Sequence, residues 1–159
     1  MVHIPQALTL ISFSFAAAIF HSLLGVERSV WSIANSEISP VEDRDLRFVR
    51  QALYGLSSYL PPSNGIMMLL GVTGLIWQGV ALIWTWPAIV VFAAWLIGQI
   101  YILTFGHIVQ AVGDLRRTET ASPIVDVRRA VRQLIRQHFN GYLHAATIVV
   151  LELALIASR

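Results

Sequence analysis

Four apolar stretches constrain the fold of this chain most, because each is long enough to cross a bilayer as a helix. They cover residues 7–26, 65–84, 88–110 and 139–157. Hydrophobic residues make up 56% of the 159 residues and charged residues 13%. A soluble domain of this length could not bury so much apolar surface. We therefore predict an all-α integral membrane protein, folded as one domain around a four-helix bundle.

The arginines predict how this bundle is oriented. All 11 basic residues are arginine. Four of them lie between the first and second apolar stretches and six between the third and fourth. Because cytoplasmic loops carry the excess of basic residues, both long loops are expected inside and both termini outside. Trp84 and Trp86 would mark the outer interface. We expect a multi-pass protein of a bacterial-type inner membrane.

The first long loop carries the pattern of an amphipathic helix over about 40–60. Ser39-Pro40-Val41-Glu42 reads as a capping box with proline at the first helical position. Apolar residues then recur at intervals of three and four, which predicts a helix on the inner leaflet or at the bundle mouth. In the second long loop, Ser122-Pro123 predicts a helix that continues unbroken into the fourth span. The apolar positions of the first helix are Leu46, Val49, Leu53, Leu56 and Leu60.

Three histidines fall at a similar depth near the cytoplasmic side of this predicted bundle: His21, His107 and His144. His138 lies at the entrance to the fourth span. Neutral imidazole ligates copper, iron and haem iron, and facing helices of a bundle commonly hold such groups. The pattern predicts a haem or a transition metal, copper or iron, bound by these three histidines, with His138 as a further metal ligand. The alternative is that each ring only hydrogen-bonds a neighbouring helix.

Two other features involve ionisable residues. Glu152 lies inside the fourth span, where a charge is costly and therefore suggests function. The alternative is a protonated carboxyl that is bonded to Gln78, Thr73 or Ser12. Glu27 and Arg28 lie at the inner mouth, where they predict an interfacial ion pair. Alternatively, Glu27 orients a histidine ring by accepting a hydrogen bond from it.

The residue types that are missing exclude several chemistries. The chain has no lysine, which excludes a lysine nucleophile and a P-loop. It has no cysteine, which excludes disulfides, thiolate metal sites and covalent haem attachment. The arginine-rich loops are expected to set orientation and contact anionic lipids, or alternatively to hold phosphates or propionates.

The segment Phe20-His21-Ser22-Leu23-Leu24-Gly25, with Arg28 after it, resembles a group of small bacterial four-helix membrane proteins. The group includes the four-helix protoporphyrinogen oxidases and the copper-resistance membrane-domain proteins. The amphipathic segment 47–56 and the second-span motif Gly71-Val72-Thr73-Gly74-Leu75 extend the resemblance. It implies that His21 matches an essential first-helix histidine. The oxidases also use a third-helix lysine, which this chain lacks, so the resemblance implies a histidine-bound haem or metal rather than that reaction.

Three functions follow as hypotheses. The first is a membrane redox protein or oxidoreductase that binds haem or a metal through the histidines. The second is a non-catalytic accessory subunit of a larger membrane complex. The third, a small transporter with Glu152, Gln78 and Gln99 along its path, is weakest because the sequence shows no paired, broken helices. Expected partners are the lipid bilayer, other membrane subunits or further copies of the chain, and no nucleic acid. Whether the protein is an enzyme stays open.

Overall fold

The fold was analysed in a computed structural model that describes residues 4–35, 40–57, 60–81, 85–102, 108–119 and 121–158. Within these ranges the chain is all-helical, with six α-helices and no strand, which confirms the all-α prediction. A 3-10 helix, Arg28–Ala34, directly follows the first α-helix. The α-helices are α1 (Ile4–Glu27), α2 (Asp43–Leu56), α3 (Leu60–Ala81), α4 (Trp86–Tyr101), α5 (Ile108–Arg117) and α6 (Ile124–Ala157).

Two helical stretches are long and apolar enough to cross a membrane, judged by length and composition. They are Ile4–Ala34 and Ile124–Ala157. The shorter stretches Gly65–Ala81 and Trp86–Tyr101 are also apolar. The fourth predicted span is therefore the second half of α6, and the prediction of one unbroken helix after Pro123 is confirmed. The third predicted span covers α4 and the start of α5, with residues 103–107 outside the described ranges.

The amphipathic helix of the first long loop is shorter than the range predicted from the sequence. It begins at Asp43 instead of residue 40, because Glu42 has extended backbone (φ −66°, ψ 140°) and so lies before the helix. Asp43 and Asp45 occupy its first turn, where acidic side chains favour the helix dipole. Ser39 of the predicted capping box lies outside the described residues. Leu60, predicted as the end of this helix, is the first residue of α3.

The buried apolar residues form two clusters at opposite ends of the bundle. The loop-side cluster is built like the core of a soluble domain, since the apolar face of α2 packs against the first half of α6. The α2 helix is thus held against the protein through this face. The second cluster joins α1, α3, α4 and the second half of α6. Residues of the loop-side cluster include Leu46, Val49 and Leu53 of α2, and Val127, Val131 and Leu134 of α6.

Around the second cluster the usual distribution of polarity is inverted. Polar side chains are buried between α1, α3 and α6, with Gln78 at 1% exposure and Glu152 at 0%. Large apolar side chains of the same helices are exposed instead, as Leu69 at 70% and Val150 at 63%. A protein in water does not gain from exposing such side chains, whereas a bilayer accepts them. This half of the molecule therefore has an apolar surface of the kind that a bilayer accepts.

Helices α1 and α3 pack closely because two glycines of α3 face α1. A Cβ on Gly74 would lie 2.9 Å from both the carbonyl oxygen of Pro5 and the backbone nitrogen of Thr9. A Cβ on Gly71 would lie 2.9 Å from the Phe13 ring. Gly65 has nothing within 4 Å of such a Cβ. Close packing of α3 through small residues thus involves Gly71 and Gly74 and not Gly65.

Several loop arginines hold the helices of the loop-side half together. They donate hydrogen bonds to backbone carbonyl oxygens or hydroxyls of other segments. Without the arginines, these oxygen atoms would need water or another donor. The arginines are therefore part of the fold at these positions. The donor–acceptor pairs are Arg47 to Ser122, Arg50 to the Thr118 hydroxyl, Arg116 to Ser57, Arg128 to Val41 and Arg136 to Ala34.

Candidate functional site

A buried carboxylate and a buried imidazole meet where the two long helices cross. Glu27 is the last residue of α1 and is fully buried, and His138 lies on the buried face of α6. Nδ1 of His138 donates a hydrogen bond to Oε1 of Glu27 over 2.6 Å. The partner of Glu27 is thus His138 and not the neighbouring Arg28, whose side chain is exposed. The carboxylate fixes the orientation of the imidazole ring. Nε2 is the ring nitrogen that does not contact Glu27.

His138 forms part of the wall of a cavity between α1, α2, α3, α5 and α6. The cavity has a volume of about 630 Å³. This volume is in the range of small-molecule sites, roughly 300–1,000 Å³. Its walls are mainly apolar, with Phe20 from α1, Leu53 from α2, Met68 from α3 and Leu115 from α5 among them. An apolar cavity with one oriented imidazole is a common form of ligand site.

The polar residues at the rim of this cavity come from the two loops. Arg116, at the end of α5, donates to the Ser57 carbonyl oxygen over 2.7 Å and to its hydroxyl over 3.4 Å. Both side chains line the cavity. Arg116 is exposed, and its hydrogen bonds to Ser57 link the ends of α2 and α5 at this side of the cavity. Among the described residues that line the cavity, His138 is the polar side chain besides Ser57 and Arg116.

His144, one of the predicted ligands, lies in a separate environment deeper along α6. The side-chain amide of Gln99 on α4 donates to its Nε2 over 3.3 Å. Its ring also makes an edge-on contact with Phe13, with the centroids 6.4 Å apart. The ring sits against Gly98, where an added Cβ would lie 1.9 Å from Nδ1. His144 of α6 is therefore held against α1 by Phe13 and against α4 by Gly98 and Gln99.

His21 is exposed on α1, and its ring contacts Tyr142 with a centroid distance of 5.8 Å. His144 contacts Phe13, which lies eight residues earlier on α1. The structure thus gives the His21 and His144 rings different neighbours. His107 lies outside the described residues. Among those that are described, no group of three His, Cys, Asp or Glu side chains could hold a metal ion.

Glu152 has a hydrogen-bond partner on a neighbouring helix. The amide nitrogen of Gln78 on α3 donates to Oε2 of Glu152 over 3.2 Å, and both side chains are buried. Gln78 is one of the partners that the sequence suggested for a structural role. A carboxyl bonded to an amide inside an apolar bundle holds two helices together. The structure accordingly gives Glu152 a place in the α3–α6 contact.

The sequence suggested both members of the Glu27–His138 pair but not their pairing. Glu27 was expected beside Arg28 or a histidine ring, and His138 was treated as an additional metal ligand. A signal for the pair was present in the sequence, because Glu27 directly follows the first predicted span and His138 directly precedes the fourth. Ser57 and Arg116, at the cavity rim, carried no such signal. No protein-family model, curated protein or solved structure matches the chain.

Proposed function

We propose that this chain is a membrane redox protein or oxidoreductase. It binds an apolar, redox-active molecule in the cavity that His138 lines, and it acts on this molecule through His138. The observation that carries the proposal is the Glu27–His138 pair at the wall of that cavity. An imidazole held by a carboxylate is a group that exchanges protons or ligates a metal in many active sites. A histidine needed only for packing would not require a buried carboxylate beside it.

The proposal includes a membrane bundle of four spans formed by α1, α3, α4 with the residues after it, and the second half of α6. Its support is the inverted polarity around the second cluster, with Glu152 and Gln78 inside and leucine and valine side chains outside. The ten arginines of the two long loops favour a cytoplasmic position of the loop-side cluster, which the proposal adopts. In this orientation the cavity lies at the cytoplasmic end of the bundle.

Haem is one occupant that the residues of the cavity fit. Nε2 of His138 would ligate the iron, Glu27 would fix the ring, and the apolar walls would keep water away from the haem. A bound haem would supply one-electron transfer. The family resemblance implies His21 as the ligand, but the exposed position of His21 favours His138. A metal held jointly by His21, His107 and His144 stays a prediction, because its third ligand lies outside the described residues.

The proposal is tested by asking whether a redox-active molecule co-purifies with the protein. The full chain is purified from membranes in mild detergent, and its absorption spectrum is recorded before and after dithionite. We expect a reducible chromophore, in the Soret region if the molecule is haem. A double variant, Glu27→Leu with His138→Leu, should lose it, because the pair that orients the reactive nitrogen is removed as a unit.

The matched control is His21→Leu, which changes an exposed histidine of α1 outside the cavity wall. This variant should keep the chromophore. A wild-type protein that carries no redox-active molecule and co-purifies with other membrane subunits would overturn the proposal. That result would support the accessory subunit instead.

A further inference from the structure

The cavity also indicates the class of molecule on which the protein acts. Resting on the proposed function, we infer that the cavity binds a lipid-soluble phenol or quinol, whose ring lies beside Phe20 and whose hydroxyl donates a hydrogen bond to Nε2 of His138. Three observations carry this inference: the orientation of the imidazole, the aromatic part of the wall and the position of the opening.

The imidazole selects a hydrogen-bond donor. Nδ1 of His138 contacts the Glu27 carboxylate, so Nε2 is the ring nitrogen that can meet a ligand, and it accepts a hydrogen bond whenever the ring is neutral. His138 is 7% exposed, so a group that meets Nε2 must enter the cavity. A hydroxyl supplies such a donor without bringing a charge into a buried place. An ester or ether oxygen would not, because it only accepts.

The wall next to His138 is aromatic and held in place. The Phe20 ring lies against His138 with centroids 6.2 Å apart and is tilted by 43° to it. The ring also packs on Gly141, where an added Cβ would lie 2.5 Å from the ring edge. Phe20 is therefore backed by α6, and it lines the cavity together with Met68. Aromatic rings and methionine sulfur both favour an aromatic ligand ring.

The opening of the cavity points to a ligand that arrives from the bilayer. Gly65, near the start of α3, and Val109, on α5, line the cavity and are exposed, Val109 at 84%. The neighbouring α3 side chains Ile66 and Leu69 are also exposed and apolar. In the proposed orientation this surface faces the inner leaflet. A lipid-soluble ligand can thus pass from the acyl chains to His138 with its apolar tail still covered.

The test compares two probes that differ only by the hydroxyl, 4-octylphenol and octylbenzene. Binding to the full chain in lipid nanodiscs is measured by equilibrium dialysis and corrected for partitioning into empty nanodiscs. We expect octylphenol to bind about 10-fold more tightly, about 1.4 kcal/mol, which is the size of one hydrogen bond. In the Glu27→Leu/His138→Leu variant both probes should bind equally, and His21→Leu should keep the 10-fold preference.

Each other outcome has a distinct meaning. Equal affinities in the wild type would overturn the hydroxyl assignment but leave the cavity as a binding site. A preference that survives in the double variant would overturn the role of His138. Saturable binding of hemin with a Soret shift, together with no binding of octylphenol, would overturn the phenol or quinol and support the proposed redox function. No saturable binding of octylphenol, octylbenzene or hemin would overturn both.

Discussion

Replacing His138 by leucine alone should destabilise the folded protein by about 3–5 kcal/mol, because the Glu27 carboxylate would be left buried without its partner. Glu27 is fully buried, and its Oε2 has no hydrogen-bond partner among the described residues. Loss of the bond to Oε1 would thus leave both oxygens unsatisfied. The measurement is denaturant unfolding of the purified protein in mixed micelles, followed by circular dichroism.

The double variant Glu27→Leu/His138→Leu is the informative comparison. Replacing a buried pair by apolar side chains of similar volume is often neutral or stabilising, so the second substitution should restore most of the lost stability. His21→Leu, at an exposed position, should change stability little. If the double variant is as unstable as His138→Leu alone, Glu27 and His138 are not energetically coupled, and the account of this pair is wrong.

A reporter fused to the chain should be exported at the C-terminus and retained after Ser122. An alkaline phosphatase domain, which is active only outside the cytoplasm, should therefore be active when joined after Ala157 and inactive when joined after Ser122. The reason is the arginine distribution, with ten in the two long loops. Green fluorescent protein, joined at the same two positions, should give the opposite pattern and serves as the control.

This second prediction is all-or-none, so it separates the orientations sharply. Between Ser122 and Ala157 the chain contains α6 and no other helix. Activity of the phosphatase at both positions, or at neither, would mean that α6 does not cross the membrane. Activity only after Ser122 would mean that the bundle is inverted, and the cavity would then lie on the outer side.

The sequence was sufficient to predict α1, α2, α3 and α6, and insufficient to predict where helices end and which residues contact each other. Apolar length and intervals of three and four residues predicted α1, α3 and α6, since these patterns reflect burial along one helix. The start of α2 was predicted three residues early, because Pro40 and Val41 precede an extended Glu42. Helix ends depend on a few backbone angles, which such patterns do not encode.

The same holds for the candidate site, where individual residues could be predicted from the sequence but their contacts could not. The buried glutamate and histidine could be picked out individually, because each directly flanks a predicted span. Their pairing depends on how α1 and α6 are rotated against each other, which is set by contacts such as Phe20 on Gly141. The predicted depth of His21 and His144 came from residue counts alone. Such counts do not give the ring contacts, which are with Tyr142 for His21 and with Phe13 for His144.

The central claim is that His138, oriented by Glu27, contacts the molecule that occupies the cavity. The most direct measurement is an electron cryomicroscopy structure of the full chain, bound to a rigid antibody fragment and purified with its native lipids. The account predicts density beside Phe20 that reaches hydrogen-bonding or coordination distance of Nε2 of His138, and its loss in the Glu27→Leu/His138→Leu variant. A cavity filled by side chains or water, with the bound molecule held elsewhere, would contradict it.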